Sequence, residues 1–157
     1  MKRKIKWFLF GFAALIVVGI VYVRSLLGHV DNHVTGLEFY GQSLESLPEV
    51  LVVRDVSRFN GASTYVVARV ELVDGREQYY FVADGVVEYY VDSEDVIGFD
   101  AAEQIAFSRV GGGVVVSSQL GIHLSDVIYE VQVEYEGLFF YVVIDAQDGE
   151  ILLEFHL

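Results

Sequence analysis

The apolar positions of this chain change period along its length. From Trp7 to Val23 there are seventeen residues without a charge, preceded by Lys2, Arg3, Lys4 and Lys6 and closed by Arg24, with Leu26 and Leu27 extending the run. A helix of seventeen residues covers roughly 26 Å and one of twenty-one roughly 31 Å, enough to cross a bilayer. The spacing then becomes threes and fours. Leu37, Tyr40, Leu44 and Leu47 predict a helical stripe within His29 to Leu47, interrupted by Gly36 and Gly41 and ended by Pro48.

Beyond Pro48 the period drops to two. Val50 to Phe59 reads as a strand, and Asn60-Gly61 as a hairpin turn. Ser63 to Val73 alternates, with Val66, Ala68, Val70 and Leu72 on one side and Tyr65, Val67, Arg69 and Glu71 on the other. Asp74-Gly75 and Asp84-Gly85 predict two more hairpins, into Arg76 to Ala83 and Val86 to Val91. The pattern then restarts. Asp100 with Glu103 reads as a capping box that opens a short helix, with Ala102, Ile105, Ala106 and Val110 inward and Gly111, Gly112 and Gly113 as its stop. Val114 to Leu124 and Val127 to Tyr135 follow as strands, the second with Tyr129, Val131, Val133 and Tyr135 inward. Glu136-Gly137 and Gln147-Asp148-Gly149 turn the chain into Leu138 to Ala146 and Glu150 to His156.

A helix followed by an antiparallel meander therefore occurs twice. The expected architecture is α+β: a single N-terminal transmembrane helix, then two tandem modules, each with a helix on one sheet face and solvent on the other. The boundaries fall at 1–28 for the cytoplasmic tip and anchor, 29–92 for the first module and 93–157 for the second. Each module alone is small for a stable core, so the pair is expected to share burial.

Charge decides orientation. Beyond Arg24 there is no Lys and only five Arg, whereas all 23 Asp and Glu lie after residue 30. The positive-inside rule places the N-terminus in the cytoplasm and the bulk of the chain outside the cytoplasmic membrane. A cleaved signal peptide would need small residues before the cut, and Tyr22, Val23, Arg24 and Ser25 supply a poor site. An uncleaved anchor is the better reading. The outer part has a net charge of −18, with His neutral, which repels nucleic acid and anionic headgroups. The same charge reads as adaptation of an exported protein to its surroundings or as an acidic docking face. No cysteine is present, so thiol catalysis, disulfides and a lipidated cysteine are excluded.

The second half resembles a PepSY module. The resemblance is carried by Ile97 and the run Asp100 to Ile105, by Val127 to Val133, and by Tyr141 to Leu152, whose Asp145, Gly149, Glu150 and Ile151 form its most specific piece. The first half resembles, more loosely, the DUF5590-type module that precedes PepSY in the TseB/YpmB-like cell wall elongation regulators of Gram-positive bacteria. That resemblance implies two cystatin-like modules outside the membrane and a non-enzymatic role beside a class B penicillin-binding protein in peptidoglycan synthesis. The chain departs from those relatives in having no Lys in its outer part.

Candidate chemistry is sparse. His29 and His33 share a helical face at a zinc-compatible spacing, but the Glu of a catalytic zinc helix and a third ligand are missing, and a polar juxtamembrane helix is favoured. His123 and His156 have no partner set for nucleophilic catalysis. Asp145, Asp148 and Glu150 suggest a calcium loop, yet their spacing does not fit an EF-hand, and a hairpin turn accounts for them. Acid pairs such as Glu134 with Glu136, or Asp92 with Glu94 and Asp95, are expected by chance among 23 acids. No catalytic, metal or cofactor residue is therefore assigned, and no nucleic acid or small-molecule substrate is expected.

Aromatic residues are the candidates for contact. Tyr79 and Tyr80, Tyr89 and Tyr90, and Phe139, Phe140 and Tyr141 are neighbours on strands, so one of each set should leave the helix-covered face. Exposed Tyr and Phe anchor interfaces, while burial between the modules is the competing outcome. Three functions follow in order of preference: a membrane-anchored regulator or scaffold of wall synthesis, a PepSY-type peptidase inhibitor or folding helper, and a two-carboxylate hydrolase.

Overall fold

Every predicted hairpin turn closes a pair of strands. The structure, a computed structural model, describes residues 36–157. The span Trp7 to Val23 and the pair His29 and His33 lie outside the described residues. Among the described residues, no helix is long and apolar enough to cross a membrane.

Helix α1 covers residues 36–45 and ends ahead of Pro48, where Ser46 Oγ donates to the Ser43 carbonyl and the Leu47 amide to that of Leu44. Strands β1 (Val50–Asn60), β2 (Thr64–Leu72), β3 (Glu77–Ala83) and β4 (Val86–Asp92) form an antiparallel sheet in sequence order. Helix α2 (Phe99–Val110) follows a 3-10 turn at Ser93–Asp95. Strands β5 (Val114–His123), β6 (Asp126–Tyr135), β7 (Leu138–Asp145) and β8 (Ile151–His156) make the second sheet, again antiparallel and in sequence order. The turns explain this regularity. Asp84-Gly85 and Glu136-Gly137 place two consecutive residues at positive φ, the twist a tight hairpin needs.

The first sheet departs from the expected wet face. On β2 and β3 both faces are buried: Ala68, Val70, Tyr80 and Val82 on one, Val67, Tyr79 and Phe81 on the other. The first set lies on the α1 side, where a Cβ built on Gly41 of α1 would sit 3.7 Å from Val56 of β1. The second set joins a single core with Leu120, Tyr129, Val131, Val142 and Ile144 of the second sheet and Ala102 and Ala106 of α2. Residues 39–157 thus form one compact unit, in which strand β5 meets β1 and β2. Sharing burial in this way gives two small sheets one core of adequate size.

Helix α2 also starts differently from expectation. Its N-cap is Gly98, which makes no side-chain cap, and Asp100 lies within the first turn. The start is set instead by packing. The Phe99 ring meets Tyr129 edge-on at 4.9 Å, and the Tyr129 hydroxyl donates to the Ile97 carbonyl at 2.5 Å. The stop is as predicted, with Gly111 left-handed at φ 90° and its amide donating to Phe107.

Candidate docking surface

The second sheet is covered unevenly. Helix α2 lies over β5, β6 and β7, and its Ala102 and Ala106 are fully buried there. On the opposite face, the register brings Gln132 beside Tyr141, and Tyr141 beside Phe155. Phe139, Val143 and Leu153 continue that face along β7 and β8. The end of the face near Gly121 is covered by Phe59 of β1, against whose ring the Gly121 backbone lies. The other end, around Phe139, Tyr141, Leu153 and Phe155, faces solvent.

Its geometry is well defined. The rings of Tyr141 and Phe155 stack at 4.9 Å and 5°. Gln132 Nε2 donates to the Tyr141 hydroxyl at 3.2 Å, and Ser117 Oγ donates to Gln132 Oε1 at 3.3 Å. This ladder runs across three strands and holds the tyrosine ring flat. Leu153 is 48% exposed and Phe155 40%. Flat, preordered aromatic surface lowers the entropic cost of contact, which suits it to binding protein.

The aromatic candidates separate into three groups. Tyr79 and Tyr80 are both buried, because β3 is covered on both faces, and burial pushes both phenols above their ordinary pKa. Tyr89 and Tyr90 lie on the edge strand β4, 43% and 59% exposed, resting on Phe81 and Tyr80 with ring centres 5.9 and 6.3 Å apart. Phe140 points to the α2 side and meets His156 at 5.5 Å, while Phe139 and Tyr141 share the uncovered face. Leu153 and Phe155 belong to the same surface and were not singled out from the sequence. Pairing β8 with β7 by their common period would have placed them there.

Electrostatics frames this surface. Residues 93–157 contain twelve acids and one Arg, Arg109, which pairs with Glu154 at 2.6 Å. In the first sheet, Arg54, Arg69 and Arg76 are likewise paired, with Glu71, Glu77 and Asp74. Local pairing therefore uses up most of the positive charge. On the face opposite α2, away from its exposed end, burial raises the pKa of the Glu130 carboxyl, opposed by His123.

Other features offer less. Asp145 Oδ1 accepts from the amides of Gln147 and Asp148, and Asp148 Oδ1 from that of Glu150, so these acids are occupied in shaping the turn. Among the described residues, no group of His, Asp and Glu is placed to hold a metal. A cleft of about 190 Å³ lies at the junction of the sheets between Arg69, Tyr79, Phe99 and Leu120. A groove of about 340 Å³ runs between α1 and the β3–β4 hairpin.

Residues 96–154, which span α2 and the four strands of the second sheet, match the PepSY family, described as the peptidase propeptide and YPEB domain. The second half is thus similar to PepSY domains along nearly its whole length. Both sheets together resemble the solved structure of the YpmB protein from Bacillus subtilis, with a TM-score of 0.65 at 20% identity, covering 78% of this chain and 98% of that one. The fold of the described residues is thus similar to that of YpmB. A structure described as a lipoprotein of Clostridium difficile 630 aligns at 15% identity and a TM-score of 0.42, covering 80% and 92% of the two chains, and at that score it adds nothing. No curated protein matches the sequence.

Proposed function

We propose that this chain is a membrane-anchored, extracytoplasmic, non-enzymatic protein that regulates or scaffolds peptidoglycan elongation by binding a wall-synthesis protein, a class B penicillin-binding protein being the partner of choice. The observation that carries this reading is the uncovered aromatic face of the second sheet, in a fold similar to that of YpmB along nearly all of that chain. Such a face binds another protein and offers no catalytic group. The charge-free run Trp7 to Val23 supports a single span with the N-terminus inside, and with it a cytoplasmic-membrane location and a cell wall role. The first sheet, with α1, stands as the DUF5590-type module.

Chemical crosslinking in growing cells of the full-length tagged chain, followed by purification in detergent, tests the reading. A penicillin-binding protein or another wall-synthesis protein should be recovered in stoichiometric amount. Recovery of no such protein under mild crosslinking overturns it. A second reading, peptidase inhibition, is favoured by the family's description as a peptidase propeptide domain. It predicts slowed hydrolysis when the chain is added to exported peptidases at micromolar concentration.

A further inference from the structure

Strand β8 is an edge with little to guard it. Among the described residues it is the last strand of its sheet and is hydrogen-bonded to β7 on one side alone. Edge strands are commonly blunted by Lys or Pro, because their free backbone groups accept another strand. Ile151–His156 contains neither, and Leu152, Leu153, Phe155 and the following Leu157 are all substantially exposed. A shift in register between Val143 and Ile144 leaves Leu152 as an extra residue near the start of β8, so the regular edge runs from Leu153 onward.

We propose that β8 accepts an added β-strand from a protein partner, an extended segment in which apolar residues alternate with Lys or Arg. This rests on the docking role proposed above and names its site and the chemistry of its occupant. Alternation follows from the pleat. One set of the incoming side chains falls beside Leu153 and Phe155 on the aromatic face, where apolar groups are required. The other set falls on the α2 side beside Glu154. Glu154 is itself paired with Arg109, so the sign is selected by the net acidity of the surrounding second half and not by that one carboxylate. Twelve acids stand against one Arg in residues 93–157, and that Arg is already paired. A second copy of the chain would bring two such acidic surfaces together, whereas a basic segment is drawn in.

Two measurements test this on the full-length chain in detergent or in the cell. The first adds synthetic octapeptides of alternating Val and Lys, or of alternating Val and Glu, and follows amide hydrogen exchange. The Val–Lys peptide should raise protection of β8 amides at least about ten-fold over the Val–Glu peptide, with the gain reduced in high salt. Leu153→Arg should weaken its binding by about ten-fold, through lost apolar contact and like charge, while Tyr90→Arg on the other sheet leaves it unchanged. Leu153 is half exposed, so an unchanged melting temperature confirms that the variant is folded. Equal protection by both peptides, or none by either, overturns the proposal.

The second places photoreactive benzoylphenylalanine at Leu153, and at Tyr90 for comparison, and sequences the crosslinked peptides. An alternating apolar and basic segment captured at Leu153 supports the proposal. An adduct between two copies, or an acidic segment, overturns it. Capture of a wall-synthesis protein at Tyr90 but not at Leu153 removes the β8 site and leaves the proposed function standing. Capture at Leu153 of a basic segment from a protein outside wall synthesis does the reverse.

Discussion

The ring of Phe59 lies so close over Gly121 that a Cβ added there would overlap three of its carbons. Phe59 belongs to the first sheet and is 3% exposed; Gly121 belongs to β5 of the second. This contact joins the two halves of the core. Gly121→Ala should destabilise the protein by roughly 1–3 kcal/mol through overpacking. Phe59→Ala should cost roughly 3–5 kcal/mol alone, and the double variant should cost less than the two effects added, because the clash is gone. Denaturant titration of the four proteins checks the coupling.

Tyr129 ties the second sheet to the segment that starts α2. It is fully buried, and burial raises its phenol pKa well above the ordinary 10.0. The folded state keeps a proton that the unfolded chain loses. The stability from this group is therefore complete below about pH 10 and declines as pH rises above it, by up to about 1.4 kcal/mol per pH unit. Tyr129→Phe should cost about 1 kcal/mol at neutral pH by removing the bond to the Ile97 carbonyl. It should also flatten the loss of stability above pH 10, as read from urea midpoints between pH 8 and 11.

Two glycines with similar backbones should respond differently. Gly75 has φ 87° with open space around its missing side chain, whereas Gly113 has φ 105° and a Cβ there would overlap the Glu134 carbonyl oxygen. Gly75→Ala should cost about 1 kcal/mol, the conformational term alone. Gly113→Ala should cost at least twice as much, because the backbone of β6 must also move. Thermal melts of both variants separate the two effects.

The proposed anchor can be tested apart from the fold. Exporting the chain from Gly28 onward without the span should leave a cooperatively folding protein and remove its activity in the cell, since a tether raises local concentration for a partner on the same membrane. Circular dichroism and a growth phenotype read the two outcomes. Full activity of the untethered form would overturn the role of the span.

The order of the elements was legible from the chain, because hairpin turns and strand periods are local. Asn60-Gly61, Asp74-Gly75, Asp84-Gly85 and Glu136-Gly137 each separate two strands. The capping box at Asp100 was not realised, since the packing of Phe99 on Tyr129 outweighs a surface hydrogen bond in choosing where α2 begins. Of the aromatic candidates, Tyr79 and Tyr80 went inside together. Alternation says that neighbours face opposite ways, but it is silent on whether both faces are covered.

Local chemistry therefore determined the strands, their turns, the inward faces of α2 and β6, and the balance of charge, all properties of a few consecutive residues. The tertiary structure alone decided that β2 and β3 are buried on both faces, that Phe59 closes over Gly121, and that Tyr141 and Phe155 stack on an uncovered surface of the second sheet. Those outcomes depend on which distant segments meet. Burial is a property of the assembled layers, and no period along a single strand encodes it.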